Sequence, residues 1–270
     1  MTLKLLTKVK EEALELFFPI KCAACERVPM PKASRILDGK AIGKTNRIKN
    51  KLICTECLGK LSPSLDFFCP LCEAKTADGK LCFSCNLIIN NTKNNFYLDR
   101  LFHPFSYKDF KIQKIIKAFK YRFIKDLEIP LGRLMIKYLD KIKDKIDLSD
   151  LIIVPIPLHK RKFNQRGYNQ SELIAQKVFE YLKPQYQNTE IFSDALIKNQ
   201  MTKDQAELDS EKRISNLKDV FKFEGSESVS RKRILLIDDV YTTGATMGQC
   251  AKVLKEAGAK EVIGLAIARG

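Results

Sequence analysis

Ile234-Leu235-Leu236-Ile237-Asp238-Asp239-Val240-Tyr241-Thr242-Thr243-Gly244-Ala245-Thr246 carries the pattern of a buried strand, a loop and a helix start in succession. Four consecutive apolar residues, Ile234 to Ile237, match a strand covered on both faces, as in a parallel sheet. Asp238 and Asp239 follow at its C-terminal end. Thr242 to Thr246 then form a short loop of small and hydroxyl residues, and Met247, Cys250, Ala251 and Leu254 recur at helical spacing beyond it. In an open α/β sheet, ligands bind beyond the C-terminal ends of the strands, and a helix N-terminus favours phosphate. A pair of carboxylates abutting a buried strand is costly unless something binds them, so the segment points to a ligand site.

Read outward, the segment resembles the binding motif of the type I phosphoribosyltransferases: apolar strand, two acids, hydroxyl-rich loop. The resemblance implies that Asp238 and Asp239 take the 2- and 3-hydroxyls of the ribose of phosphoribosyl pyrophosphate (PRPP). It also implies that Thr242, Thr243, Gly244, Ala245 and Thr246 take the 5-phosphate, with Mg2+ accompanying the substrate.

The upstream half supplies the rest of a sheet. Tyr97 to Tyr107 alternates like a strand. Lys108 to Lys125 holds seven basic residues against the single acid Asp109. Within it, Ile112, Ile115, Ile116, Phe119 and Phe123 mark a buried helical stripe, and Lys111, Lys114, Lys117 and Lys120 fall at steps of three, winding along one side. Two readings of the lysines stand: a solvated face, or a track for the backbone of single-stranded DNA helped by stacking on Tyr121 or Phe110. A second helix is expected over Leu127 to Ile142 and a strand over Leu151 to Val154, which Pro155 and Pro157 close.

After that strand come His159, Lys160, Arg161, Lys162 and Arg166, and then Gly167. They form either a basic surface loop or, in a phosphoribosyltransferase, the loop that meets the pyrophosphate and stabilises its developing charge. Asn169 caps a helix running to about Leu182, with Glu172 three residues on. A further strand is expected near Glu190 to Ile197. Lys198 to Ser210, with Thr202, Gln205 and Arg213, reads as a lid or as a plain surface connection. Phe221 to Phe223 and Val262 to Ala268 read as strands, and Cys250 as core.

Eight of the nine cysteines lie in four C-x-x-C pairs: Cys22/Cys25, Cys54/Cys57, Cys69/Cys72 and Cys82/Cys85. Eight thiolates make two tetrahedral zinc sites, structural because sulfur fills every position. Pairing in sequence order is the first reading, and cross-bracing of first with third and second with fourth stays open. Bound metal supplies most of the folding free energy of such a module, on the order of 10 kcal/mol per site. Residues 1–90 are therefore expected to hold an N-terminal helix and a double zinc ribbon. Asn90 to Asn95 form a linker, and residues 96–270 form the α/β domain, while Pro29 to Asn50 reads as a mobile basic loop.

Glu11, Glu12 and Glu15 interrupt the apolar character of the N-terminus and argue against a signal peptide, and no run of about 18 apolar residues exists. Metal-binding cysteines without an export signal point to a reducing cytoplasm. The formal net charge of +16 suits an anionic partner.

Taken together, the C-x-x-C pairs, V-P-I-P-L-H-K-R-K-F-N-Q-R-G-Y-N-Q-S-E (Val154 to Glu172), Thr202/Gln205/Leu208, Arg213/Asn216 and D-D-V-Y-T-T-G-A-T resemble the ComF family of competence proteins, relatives of the gluconate-utilisation protein GntX. That resemblance spans nearly the whole chain. It implies a cytoplasmic bacterial protein of natural transformation, with a double zinc ribbon ahead of a phosphoribosyltransferase-like, mostly parallel sheet with flanking helices. It also implies partners: the helicase-like protein ComFA, the recombination mediator DprA and incoming single-stranded DNA. Purine-salvage phosphoribosyltransferases carry a proton-accepting acid in the phosphate loop where this sequence has Thr242.

Overall fold

The computed structural model describes residues 19–29, 52–92, 95–199, 220–225 and 228–270. The helix expected within residues 1–18, residues 30–50 of the basic loop Pro29 to Asn50, residues 200–210 of the lid stretch, and Arg213 and Asn216 beyond it lie outside them. Compactness divides the chain into two units, Met1–Leu61 and Ser62–Gly270.

In the first unit, Cys22, Cys25, Cys54 and Cys57 gather around a short helix, α1 (Thr55–Gly59). Cys54 caps that helix, its sulfur accepting the Cys57 N–H, and the Cys22 sulfur accepts the Cys54 N–H.

The second unit opens with the other tetrad, Cys69, Cys72, Cys82 and Cys85. Its first pair sits in the antiparallel hairpin of β1 (Phe67–Phe68) and β2 (Lys75–Thr76), and its second at the start of α2 (Phe83–Thr92). The thiols thus group in sequence order rather than cross-braced. Helix α2 runs through the first part of the stretch expected as linker.

The main sheet contains β3 (Arg100–Phe102), β4 (Phe105–Ser106), β5 (Leu151–Pro155), β6 (Glu190–Ile191), β9 (Arg233–Tyr241) and β10 (Glu261–Arg269). Their order is β3-β10-β9-β5-β6, with β4 also on β10, and every pair is parallel. Pro104 lies between β3 and β4, so the strand expected over Tyr97 to Tyr107 forms two short pieces. Likewise the strand near Glu190 to Ile197 divides. Its second part, β7 (Leu196–Lys198), leaves the main sheet and pairs antiparallel with β8 (Phe221–Phe223).

Helices flank the sheet: α3 (Phe110–Tyr121), α4 (Glu128–Ile142), α5 (Lys160–Arg166), α6 (Gln170–Leu182) and α7 (Ala245–Glu256). Ile234 and Leu236 of β9 share a buried cluster with Met247, Cys250, Ala251 and Leu254 of α7. Strand alternation turns Leu235 and Ile237 to the other face, and α6 contacts β5 and β9 with its own buried residues Ile174, Ala175 and Val178 outside that cluster. The apolar run of β9 is thus covered on both sides, as the opening stretch requires. Asp109 caps α3, its carboxylate accepting the N–H groups of Lys111 and Ile112.

One part of the α3 stripe departs from the reading. The helix ends at Tyr121, and Phe123 takes a positive φ of 56° and is half exposed. It has left the helix and with it the buried face.

At the N-terminal ends of the strands, Glu261 takes Arg100 and Arg233 at 3.0 and 2.9 Å, and Arg233 reaches Asp147 at 2.7 Å. The opposite, C-terminal edge is left for the site. There β5 leads on toward β6 and β9 leads back toward β10, so the two loops part between adjacent strands. This is the switch point where parallel sheets bind ligands.

Candidate functional site

A cavity of about 340 Å³ opens at that switch point. Its walls come from the end of β9 and the loop after it (Asp238, Asp239, Thr242, Gly244, Thr246), from the segment after β5 (Pro157, Leu158, Lys162, Arg166), and from Tyr107, Lys120, Tyr121, Ser171 and Lys198.

The acids are part of β9 rather than beyond it: Asp238 is in register with Ala266, and Tyr241 with Arg269. Alternation turns the two carboxylates apart, and they take different partners. Asp238 Oδ1 accepts the Ser171 hydroxyl at 3.0 Å, from the first turn of α6. Asp239 Oδ1 lies 2.8 Å from Lys120 Nζ at the end of α3. Burial, then the charge of Asp239, push the Asp238 carboxyl up to about 7, against the pull of Lys120, the Asp239 N–H and Ser171. For Lys120, burial opposes the ammonium, but the two carboxylates outweigh it and hold its pKa above the ordinary value.

Lys120 therefore separates from Lys111, Lys114 and Lys117. A step of three residues falls about 60° short of a full turn, so three steps carry Lys120 about half a turn from Lys111. Nothing local in the sequence gives its partner, which lies in a strand more than a hundred residues on.

The loop after β9 turns at Gly244, whose φ of 77° is left-handed. A Cβ there would also overlap the Tyr241 hydroxyl, so this turn needs glycine for two reasons. Gly244 stands at the N-cap of α7, and the helix begins at the cavity wall with Thr246 and Met247. Thr242 and Thr246 line the cavity, whereas Thr243 accepts the Ala245 N–H and, with Ala245, lies outside the wall.

The basic segment after β5 is a helix, α5, not an open loop. His159 caps it, Nδ1 accepting the Arg161 N–H at 3.1 Å, and Gly167 ends it at a φ of 78°. Of His159, Lys160, Arg161 and Arg166, only Arg166 lines the cavity, joined by Lys162. The Arg166 guanidinium donates to Gln170 and stacks 5.2 Å from the ring of Tyr121, which is 58% exposed. On the outer part of α3, the Lys114 ammonium sits 4.7 Å above the exposed ring of Phe110.

In both tetrads all four sulfurs lie within 4.8 Å of one another, with Cys25 and Cys54 at 3.9 Å and Cys72 and Cys82 at 3.5 Å. Four thiolates at about 2.3 Å from one ion are about 3.8 Å apart, so the residues fit zinc. At Cys22 and Cys69 burial alone would raise the thiol, but backbone N–H donors, from Cys54 and Cys72 foremost, outweigh it and hold each at about 7.

Known proteins match this arrangement. The phosphoribosyl transferase domain family covers residues 172–269, from α6 through β10. The chain is 26% identical to the competence protein ComFC of Bacillus subtilis (strain 168) over 206 residues, 76% of this chain and 79% of that protein. It is 26% identical to competence protein F of Haemophilus influenzae over 220 residues, 77% of this chain and 93% of that one. These matches support a ComF-family protein. To the DNA utilization protein YhgH of Escherichia coli (strain K12) the chain is 34% identical over 110 residues, 41% of this chain and 45% of YhgH. The competence-protein relatives and the parallel sheet with its flanking helices agree with the sequence reading. The family match begins only at residue 172, so Lys120 reaches this site from outside the matched segment.

Proposed function

We propose that this protein binds PRPP at the end of β9 and acts in natural transformation, the bacterial uptake of DNA. The observation that carries the proposal is the conjunction of Asp238, Asp239 and the N-terminus of α7 within one cavity at the switch point. The carboxylates suit the 2- and 3-hydroxyls of ribose. The loop from Thr242 to Thr246 and the first N–H groups of α7 suit the 5-phosphate. Arg166 and Lys162 on the opposite wall suit the pyrophosphate, where cations stabilise charge as the glycosidic bond breaks. Mg2+ fits beside the acid pair, and when bound it would neutralise the leaving pyrophosphate. Thr242 cannot accept a proton at neutral pH, which weighs against a purine acceptor handled through that position.

The ComF homologues support the role in competence, and the surface supports a reading in which single-stranded DNA is a second ligand. Two exposed rings paired with cations, Tyr121 with Arg166 and Phe110 with Lys114, offer stacking and backbone charge together. His159, Lys160, Arg161, Lys111 and Lys117 belong to this basic surface reading. ComFA and DprA are the protein partners proposed with it, in the cytoplasm. Among the described residues no helix is long and apolar enough to cross a membrane.

Transfer of phosphoribosyl to an acceptor and a purely adaptor role are the alternatives. Titration with ribose 5-phosphate, pyrophosphate and PRPP, each with and without a short single-stranded DNA, tests the proposal. Binding of PRPP that exceeds both fragments, and that DNA alters, supports it. Binding of pyrophosphate alone would mean a general anion site.

A further inference from the structure

Arg269 is the last residue of β10 and is 6% exposed. A guanidinium at that depth needs its donors satisfied and its charge compensated. Its acceptors come from the second cysteine tetrad: Nη1 donates to the carbonyl of the ligand residue Cys69 at 2.7 Å, and Nη2 to that of Pro70 at 3.0 Å. Glu73, one residue beyond the ligand Cys72, lies 3.3 Å from Nε.

Tyr241, in register with Arg269 on β9, sends its hydroxyl to the same Pro70 carbonyl at 3.0 Å, and the guanidinium stacks 5.3 Å from its ring. The phenol in turn occupies the space beneath the Gly244 turn, where any Cβ would overlap it. A continuous chain of contacts thus runs from the Cys69–Cys72 turn through Pro70, Arg269 and Tyr241 to the loop that turns into α7.

We propose that the second tetrad is a positioning element of the Thr242–Gly244 loop: metal held by Cys69, Cys72, Cys82 and Cys85 fixes the carbonyls of residues 69 and 70, which through Arg269 and Tyr241 set the loop in its binding shape. The inference rests on the reading of that loop as the PRPP phosphate site. The tetrad fits a metal by its sulfur spacing, and without the ion its four thiols have no common centre to close the turn that presents those carbonyls. Loss of the turn leaves the buried Arg269 without acceptors, and the end of β9 shifts with it. Coupling of this kind is reciprocal, so ligand on the loop also retains the metal.

The experiment compares zinc-loaded wild type with Tyr241→Phe and Arg269→Met. Zinc content is checked by atomic emission, PRPP–Mg2+ affinity by calorimetry, and amide hydrogen exchange is followed over residues 241–247. Tyr241→Phe keeps the ring and removes one hydrogen bond. It is expected to retain both metals, bind PRPP roughly three- to tenfold more weakly and exchange faster in that segment. PRPP should slow zinc transfer to a chromogenic chelator in the wild type and do so less in the variant. Wild-type affinity and unchanged exchange in both variants would overturn the coupling. If the wild type itself fails to bind PRPP, the PRPP reading falls, and the exchange comparison alone decides whether the tetrad sets the loop.

Discussion

Lys120 and Asp239 form an ion pair of 2.8 Å that joins the end of α3 to the β9 wall of the cavity, while Asp238 beside it is held by Ser171. One cation is thus shared between two carboxylates, and Asp238 is the one pushed up to about 7, by burial and by its neighbour's charge.

That shift fixes a pH dependence. The folded protein holds the Asp238 proton more tightly than the unfolded chain, so the group's stabilising contribution is complete below about pH 4 and is lost as pH rises through about 7. Ribose hydroxyls and Mg2+ favour the ionised pair, so PRPP affinity should move the other way, rising roughly tenfold between pH 6 and 8. Lys120→Met removes the cation and should displace the midpoint of that profile upward. Calorimetry across the pH range checks both.

Gly244→Ala places a methyl group against the Tyr241 hydroxyl at a left-handed residue. The strain and the overlap together should cost about 2 kcal/mol or more and lower PRPP affinity further than stability. Thermal unfolding and titration of the same sample separate the two effects.

Metal removal should expose cysteines selectively. The tetrads fit a metal, which would protect their eight thiols, whereas Cys250 is fully buried in α7 and its thiol is pushed well above the ordinary value by burial. A chelator should therefore make eight thiols reactive under native conditions and leave the ninth until denaturant is added, as mass spectrometry after alkylation would show.

Charge reversal at Lys114 and Lys117 should weaken single-stranded DNA binding and flatten its salt dependence, by roughly 0.7 in log–log slope for each phosphate the protein ceases to neutralise. Affinity and slope that both stay at wild-type values would reduce this face of α3 to a solvated surface.

What the sequence disclosed follows from the range of each interaction. The apolar run of β9 and the Asn169 cap depend on neighbours a few residues away and are legible, whereas the four C-x-x-C pairs give two groups of ligands without deciding between sequence order and cross-bracing. Lys120 beside Asp239 and Tyr241 beneath Pro70 depend on elements 119 and 171 residues apart in sequence, for which no local period exists. Helix spacing does hold one clue, since steps of three drift around the axis and take Lys120 away from Lys111. The conversion of the basic segment after β5 into α5 is signalled by His159 ahead of it and Gly167 behind it, a cap and a stop that charge alone obscures.

In the proposed function, Asp238 and Asp239 bind the ribose of PRPP. The measurement that tests it most directly is calorimetric titration of zinc-loaded protein with PRPP and Mg2+, wild type against Asp238→Asn combined with Asp239→Asn. Binding is expected in the wild type and none in the double variant at unchanged zinc content; equal affinity in the two would rule out a role for the acid pair in PRPP binding.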